Sequence, residues 1–359
     1  MVNTTKYTFE SLRSSSKGTH GGALTVPSLH TFITSYSIVK ADGSLIKVSK
    51  TSDPELFSAL APSMGVFGVV VEVEMQCVPL QYLEARFKII SFDELATEGV
   101  FETLMRDNKY ARVVVYPSIN KATIWYANPI SQDDMAVAIK EGAVDSSNGY
   151  MNFRDENEKA WLENFVILDK KKKYQKADSL LHDVLASQES RLGRYVGRYN
   201  YVLCKERNNG IPHADIEFNF DFSKNLQVLQ TVRKYCSEHR VPYYNFEIRT
   251  TKQDDAMLSC CNGRDAMWID FQAKAADSPA FFGDIEAVLK PIGFRKHWAK
   301  GLGNTDPSYV VTQFPKMKDF VKLMGEFDKE GKFRNVEGEL WYQEMKDLVN
   351  QCEVDEEMN

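Results

Sequence analysis

Two short stretches carry side chains that could do chemistry together. In "FEIRTTKQDDAMLS" (246–259), Glu247 and Arg249 are two residues apart. On a strand both would leave the same face, ~6.6 Å apart along the chain, while Ile248 points the other way. A carboxylate and a guanidinium so placed can grip hydroxyl groups and steady a developing anion. In "GFRKHWAKGLG" (293–303), His297 and Lys300 lie three positions apart with Trp298 between them. One helical turn or tight bend would aim the imidazole and the ammonium at a common point. A third stretch, "KGTHGGALTVPS" (17–28), sets Gly18, Gly21 and Gly22 around Thr19 and His20. Such a turn can bring backbone N–H groups close to a phosphate or a flat ring.

Each stretch also has a plainer reading. An E-x-R pair is most often a surface ion pair. Trp298 can plug a domain junction while Lys300 reaches solvent. The glycine stretch matches neither G-x-G-x-x-G nor the P-loop and by itself reads as an ordinary loop. The aromatic approach Tyr243, Tyr244 and Phe246 points instead to a covered sheet around Glu247 and Arg249, where a charge pair needs a reason.

The elements that must position these groups follow from periodicity. Residues 1–17 read as a loose polar leader. "TSYSIVKADGSLIKVSK" (34–50) alternates as two strands joined at Asp42-Gly43, a strong hairpin dipeptide. "DPELFSALAPSMG" (53–65) reads as a short helix capped by Asp53, with Pro54 in its first turn and Gly65 past its end. "GVVVEVEMQCVP" (68–79) reads as a long strand closed by Pro79. From Leu83 to Leu289 strands are expected at 86–91, 111–117, 122–126, 196–204, 243–249 and 266–273, and helices at 93–106, 156–189, 223–238 and 280–290. No βαβ period runs through them, so an antiparallel sheet with helices on one side is expected. A helical segment (314–350) closes the chain. The fold class is α+β.

Composition narrows the function. A chain of 359 residues has room for two domains. A net charge of −6 argues against nucleic-acid binding, which needs a basic face. The basic–aromatic stretch 191–207 therefore reads as a strand with a wet face, and the lysines of "WLENFVILDKKKKYQK" (161–176) as a solvated helix end. No run approaches the ~18 apolar residues of a membrane helix. Cys77, Cys204, Cys236, Cys260, Cys261 and Cys352 show neither C-x-x-C pairing nor ligand-like spacing with histidines. They read as reduced thiols in a reducing compartment, and no metal set is identified.

The pieces occur in a familiar order, and together the chain resembles the sugar-1,4-lactone (aldonolactone) oxidases. This family, within the vanillyl-alcohol-oxidase class of flavoproteins, includes gulonolactone oxidase, galactonolactone dehydrogenase and arabinonolactone oxidase. "GTHGG" (18–22) is similar to its flavin loop, and "GVFGVVVEVEMQCVP" (65–79) to the G-x-x-G-[IV] strand that follows. "FEIRTTKQDDAMLS" resembles its E-x-R strand with the trailing D-D-x-x-L-S. "IEAVLKPIGFRKHWAK" (285–300) resembles its H-W-[GA]-K segment, and "FPKMKDFVKLMGEFDKEGKFRN" (314–335) its closing motif. The match runs from Gly18 to about Asn335. Four positions depart from the pattern: Gly22 and Ala23 replace the hydroxyl residue and the glycine that close the flavin loop, Phe294 a second glycine, and Lys296 a proline.

The resemblance implies the second lobe of a PCMH-type FAD-binding domain at 18–85, an antiparallel-sheet substrate cap at 86–290, and a segment at 291–359 that returns to the flavin domain. The first flavin lobe, with its pyrophosphate-binding turn, would precede this sequence. FAD is the implied cofactor, held by Gly18, Thr19, His20, Gly21, Gly22, Gly65, Gly68 and Val69. Glu247 would orient the hydroxyls of a small sugar lactone, Arg249 would stabilise negative charge, and His297 and Lys300 would position the lactone. The implied reaction oxidises D-arabinono-, L-gulono- or L-galactono-1,4-lactone to ascorbate or an analogue, with oxygen or cytochrome c as electron acceptor. Peripheral association with a mitochondrial or endoplasmic-reticulum membrane, or a cytoplasmic location, is compatible with it. Two alternatives stay open: a non-catalytic remnant unable to hold FAD, and an FAD-linked alditol or sugar oxidase.

Overall fold

The computed structural model describes residues 22–146, 156–189, 193–203, 211–298, 300, 306–333 and 347. The leader and the flavin-loop positions Gly18, Thr19, His20 and Gly21 lie outside the described residues, as does most of the C-terminal segment beyond residue 333.

The chain enters as a strand, β1 (Ala23–Pro27), where the sequence reads only as the tail of a glycine loop. The expected hairpin follows as β2 (Ile33–Val39) and β3 (Leu45–Ser49). It turns at Gly43, whose φ of +83° is the left-handed conformation that glycine adopts freely. Asp53 caps the helix Pro54–Ala59 by accepting from Leu56 N at 3.0 Å. The long strand is shorter than its sequence predicts: β4 spans Val69–Met75 and lies beside β2 in the order β3-β2-β4. One further bond, from Gln76 N to the Phe32 carbonyl at 2.7 Å, ends the pairing before Pro79.

The remaining strands are β5 (Tyr82–Ser91), β6 (Tyr110–Tyr116), β7 (Lys121–Ile130), β8 (Val144–Asp145), β9 (Tyr195–Arg198), β10 (Ala214–Asp221), β11 (Phe246–Lys252), β12 (Ala266–Ala273) and β13 (Arg295–Lys296). They form a ten-stranded sheet in the order β13-β10-β12-β11-β6-β7-β5-β9-β8, with β1 added parallel to β11. All other pairings are antiparallel except β8 with β9. One face is apolar. Phe218, Phe220, Phe246, Ile248, Ile269 and Phe271 bury themselves there under the helices 100–107, 225–238 and 278–289.

Helices also cover part of the other face, contrary to the one-sided arrangement expected. The helices 156–170 and 174–189 pack on Tyr116, with Val114 and Ile89 beside it. The reason is that β5 and β6 alternate apolar residues on both faces, so the second face also needs cover. Three further expectations change in detail. Helix 93–106 is two helices, Phe92–Leu95 and Val100–Asp107, separated at Gly99 with φ +78°. Helix 156–189 turns at Lys172, φ +55°. Strand 196–204 stops at Arg198, and Tyr199–Leu203 is helical so that Val202 can join Leu83 and Ala85 in a small core.

The C-terminal helices 307–313 and 317–327 pack back on the hairpin lobe. Their Phe314, Met317 and Phe320 share a core with Tyr36, Leu56, Phe67 and Trp298. Phe320 meets Phe67 edge-on at 5.2 Å between ring centroids. No helix among the described residues is long and apolar enough to cross a membrane.

Candidate active site

Alternation in three neighbouring strands builds the site. In β10 the apolar Ile216, Phe218 and Phe220 face the core, so Asp215, Glu217 and Asn219 face the other way. In β12, Met267, Ile269 and Phe271 do the same, turning Trp268, Asp270 and Gln272 outward from that core. In β11 the outward residues are Glu247 and Arg249. The register sets Glu217 opposite Asp270 and Asp270 opposite Glu247. Three carboxyl groups therefore stand in a row across three strands, ~4.8 Å from strand to strand. In the next row Asn219, Trp268 and Arg249 are neighbours.

Such a row of like charges needs cations. Arg249 Nη2 donates to Glu247 Oε2 at 2.6 Å, and Arg112 Nη1 on β6 lies 3.8 Å from the same oxygen. Burial alone would raise the pKa of Glu247. The guanidiniums of Arg112 and Arg249 overcome it and hold the group down to about 2. Arg249 in turn is kept charged: burial works against it, but Glu247 and Glu217 raise its pKa above the ordinary arginine value.

The opposite end of the row belongs to Lys300. Its ammonium touches Asp270 Oδ2 and lies 2.9 Å from Asp215 Oδ2 and 3.6 Å from Glu217 Oε2. Burial opposes the charge on Lys300, and the carboxylates of Glu217, Asp270 and Asp215 outweigh it, so its pKa rises. Asp270 behaves oppositely. Burial first, then the charge on Glu217, push its carboxyl up to about 7 against the pull of Lys300. Its Oδ1 is buried and takes no hydrogen bond among the described residues.

The segment that delivers Lys300 is pinned at several points. β13 pairs with β10, Lys296 against Phe218 and Arg295 against Asn219. Arg295 donates to the carbonyls of Cys260 (3.0 Å), Asn262 (2.9 Å) and Gln313 (2.7 Å). Lys296, which stands where the family pattern has proline, is 3% exposed and donates to Glu286 at 2.7 Å. The main-chain N–H of His297 donates to the Glu217 carbonyl at 3.1 Å, and that of Lys300 to the His297 carbonyl at 3.2 Å. The His297 ring lies 5.6 Å from that of Trp268. Trp298 plugs the junction, its ring N–H donating to the Leu258 carbonyl at 2.7 Å and its indole against Phe314. Lys300 does not run to solvent: it turns onto the carboxylates.

Glu247, Arg249, His297 and Lys300 thus come together on and beside one sheet face, on elements distant in sequence. Sequence reasoning missed Arg112, Asp215, Glu217 and Asp270. The readable signal was acidic residues at alternate positions of otherwise apolar strands, "ADIEFNFD" and "AMWIDFQA".

Of the expected flavin-holding positions, Gly22, Gly65, Gly68 and Val69 are among the described residues. The Gly22 carbonyl accepts from Ala111 N of β6 at 2.9 Å, one residue from Arg112. Gly65 has φ +83°. Gly68, at φ +131°, has its own packing requirement, because a Cβ there would lie 2.5 Å from the Val39 carbonyl of β2. Val69 opens β4 and is exposed.

Comparison with solved structures finds the same fold in cholesterol oxidases. A solvent-stable cholesterol oxidase matches with a TM-score of 0.71 at 16% identity, over 89% of this chain and 73% of that one. A cholesterol oxidase from B. sterolicum matches at 0.67 and 15%, over 91% and 71%. The fold is the second lobe of a PCMH-type FAD-binding domain joined to an antiparallel-sheet substrate cap, with the C-terminal segment returning to the flavin lobe. Among curated proteins, the L-gulonolactone oxidase of Mus musculus is 23% identical over 342 residues, covering 89% of this chain and 70% of the relative. The L-gulonolactone oxidase of Scyliorhinus torazame is 24% identical over 341 residues with the same coverage. A D-arabinono-1,4-lactone oxidase of Candida albicans is 27% identical over 113 residues, 32% of this chain and 20% of that one. The chain belongs to the D-arabinono-1,4-lactone oxidase family, which matches residues 73–344. The family is one of FAD-dependent oxidoreductases acting on CH–OH groups.

Proposed function

We propose that this protein oxidises a secondary alcohol of a sugar-1,4-lactone (D-arabinono-, L-gulono- or L-galactono-1,4-lactone), yielding ascorbate or a close analogue. The observation that carries the reading is the charged sheet face in a chain of this family: Glu247 and Arg249 on one strand, with Lys300 brought to the same row of carboxyl groups.

Glu247, ionised and held by two guanidiniums, accepts hydrogen bonds from lactone hydroxyls and fixes the ring's orientation. Arg249 is locked as a cation and half-exposed, so it meets negative charge developing on the lactone oxygen. Lys300 holds Asp215, Glu217 and Asp270 in place, and His297 frames the Trp268 side. Bound FAD would supply the hydride acceptor. The residues present fit it. Arg249 Nε is buried and donates to nothing among the described residues, and a cationic donor set favours a ring that becomes anionic on reduction. The Gly18–Gly22 loop and Gly65, Gly68 and Val69 would hold the flavin. On this reading residues 18–85 form the flavin lobe, 86–290 the cap and 291–359 the returning segment.

Purified protein, reconstituted with FAD if colourless, tests the reading. Each lactone is added under nitrogen and the visible flavin band followed; bleaching by a lactone and not by open-chain alditols is expected. Reoxidation by oxygen against cytochrome c then identifies the acceptor. A flavin-loaded protein that no lactone bleaches would refute the assignment, and bleaching by alditols alone would replace it with an alditol oxidase.

A further inference from the structure

The charged face of the sheet is closed on one side and half-open on the other. Toward β10 and β12, Glu217, Asn219, Trp268 and Asp270 are buried, and Lys300 gathers Asp215, Glu217 and Asp270 around it. Toward β6 and β7, Arg249, Arg112 and Trp125 are only half-buried. The helices 156–170 and 174–189 cover Tyr116, Val114 and Ile89 next to them. A ligand held at Glu247 and Arg249 therefore extends along one line, from β11 across β6 to β7. Ala111 N donates to the Gly22 carbonyl one residue from Arg112, so the expected flavin loop ends beside the same line.

Alternation puts Trp125 on it. In β7, Ala122 and Ile124 join the apolar core with Phe246 and Ile248, so Thr123 and Trp125 leave the opposite face, the one that carries Glu247 and Arg249. The register pairs Trp125 with Arg112; Ile248 pairs with Val113, and the next step sets Arg249 beside Arg112. Trp125 thus stands two strand spacings, ~10 Å, from the backbone of the E-x-R strand. On its far side it pairs with Phe87 of β5, which meets Tyr195 edge-on at 5.7 Å between ring centroids.

The indole also carries an unused polar handle. Trp125 Nε1–H is buried and donates to nothing among the described residues. By contrast, the ring N–H of Trp268 donates to Thr251 Oγ1 at 3.1 Å and that of Trp298 to the Leu258 carbonyl at 2.7 Å. A buried donor without an acceptor costs free energy that a ligand oxygen can restore. An indole N–H only donates, and its ring offers apolar surface. The complementary group is a hydroxyl oxygen on a short carbon chain whose C–H groups lie against the ring.

We propose that Trp125 forms the subsite for the exocyclic side chain of the lactone, its N–H donating to the terminal hydroxyl, and so selects six-carbon over five-carbon lactones. The proposal rests on the lactone reading above and adds Trp125 as a specificity-determining residue. With the ring hydroxyls at Glu247 and Arg249, a two-carbon side chain reaches toward β7. The one-carbon side chain of D-arabinono-1,4-lactone stops short of the indole.

Calorimetric titration of the full chain under nitrogen tests this, with any bound flavin reduced beforehand so that no turnover occurs. The probes are L-galactono-1,4-lactone and D-arabinono-1,4-lactone, which share the ring's configuration and differ by one side-chain carbon. Wild-type protein should bind the six-carbon lactone about tenfold more tightly, the scale of one hydrogen bond to a buried group. Trp125→Phe, which keeps an aromatic ring and loses the N–H, should remove most of that preference. A variant that weakens both lactones equally, or neither, would show that Trp125 only packs beside Phe87, and would overturn the proposal. If Trp125→Phe fails to fold, the wild type still decides: 6-deoxy-L-galactono-1,4-lactone, which lacks the terminal hydroxyl, should bind about tenfold more weakly than its parent, and equal binding overturns the proposal. If the wild type binds both lactones without preferring the six-carbon one, this inference falls and the lactone reading stands. If it binds neither, the lactone reading falls and takes the inference with it.

Discussion

Replacing Asp270 by asparagine should make the protein more stable above neutral pH and leave it nearly unchanged near pH 4. Asp270 is 5% exposed and stands between Glu217 and Glu247 in adjacent strands. Burial and the charge on Glu217 raise its pKa from an ordinary 3.8 to about 7. The unfolded chain gives up this proton near 3.8, whereas the folded protein keeps it to about 7. Within that window the folded state binds more protons, so stability falls as pH rises, and the whole penalty is present above 7. A displacement of some three pH units corresponds to ~4 kcal/mol at 1.36 kcal/mol each. That value already contains the pull of Lys300, and in the variant Asp215 at 2.9 Å and Glu217 at 3.6 Å still hold the ammonium. A gain of ~4 kcal/mol is therefore expected at pH 8. For 359 residues at ~2.1 cal/mol/K each, this raises the melting temperature by ~5 °C. Melting curves of wild type and Asp270→Asn, recorded from pH 4 to 9, check it. A variant that melts lower at pH 8, or by the same offset at both ends of the range, would show that Asp270 is ionised throughout and serves mainly to hold Lys300.

Three further outcomes follow from the same geometry. Arg249→Ala in flavin-loaded protein should lower kcat by about a hundredfold to a thousandfold, the scale of one preorganised donor to a developing anion; undiminished turnover with lactone would remove Arg249 from the chemistry. Glu247→Gln should destabilise the protein at pH 7 and flatten its acid limb. Despite burial, Arg112 and Arg249 hold Glu247 at about 2, so its contribution is present above 4.5 and lost as pH falls toward 2. Urea midpoints across that range decide it, an unaltered acid limb being the contrary result. Gly68→Ala should cost ~2 kcal/mol, read as a fall of ~3 °C in melting temperature, because a Cβ at φ +131° would meet the Val39 carbonyl at 2.5 Å. An unchanged melt would mean that β2 and β4 separate there at no cost.

Much of the fold was legible where one local rule decided the outcome. β12 spans 266–273 as its alternation predicts, and the first hairpin turns at Asp42-Gly43 as that dipeptide requires. The misread elements share a different cause. The two long helical patterns are each interrupted by a single left-handed residue, Gly99 and Lys172, which a periodicity of many residues averages away. β1 escaped notice because a five-residue strand beside glycines has no pattern of its own. Its identity comes from pairing with β11, a partner far along the chain. Helices on the second face were missed because β5 and β6 look like half-buried strands until both of their apolar alternations are counted.

The site was legible in its local pairs and hidden in its register. E-x-R and H-W-x-K each announce themselves within four residues, yet nothing in sequence order says that β10 and β12 lie between them. The sheet order β10-β12-β11-β6 brings Glu217, Asp270, Glu247 and Arg112 together. That order is decided by the apolar faces, where Phe218, Phe271 and Phe246 pack as one core. The polar residues follow as passengers of the alternation. This explains why the charges are so confined: hydrogen-bonded strands cannot spread to relieve three neighbouring carboxyl groups, so relief comes from cations at the two ends of the row. Arg249 and Arg112 are part of the same rigid sheet, whereas Lys300 arrives on a turn. Its position depends on Trp298, buried in the core of the hairpin lobe with Tyr36 and Phe67, and on Arg295, bound to three carbonyls. Packing between the hairpin lobe and the C-terminal helices therefore sets the electrostatics of the sheet face, and any loosening of Trp298 is felt first by the carboxyl groups around Lys300.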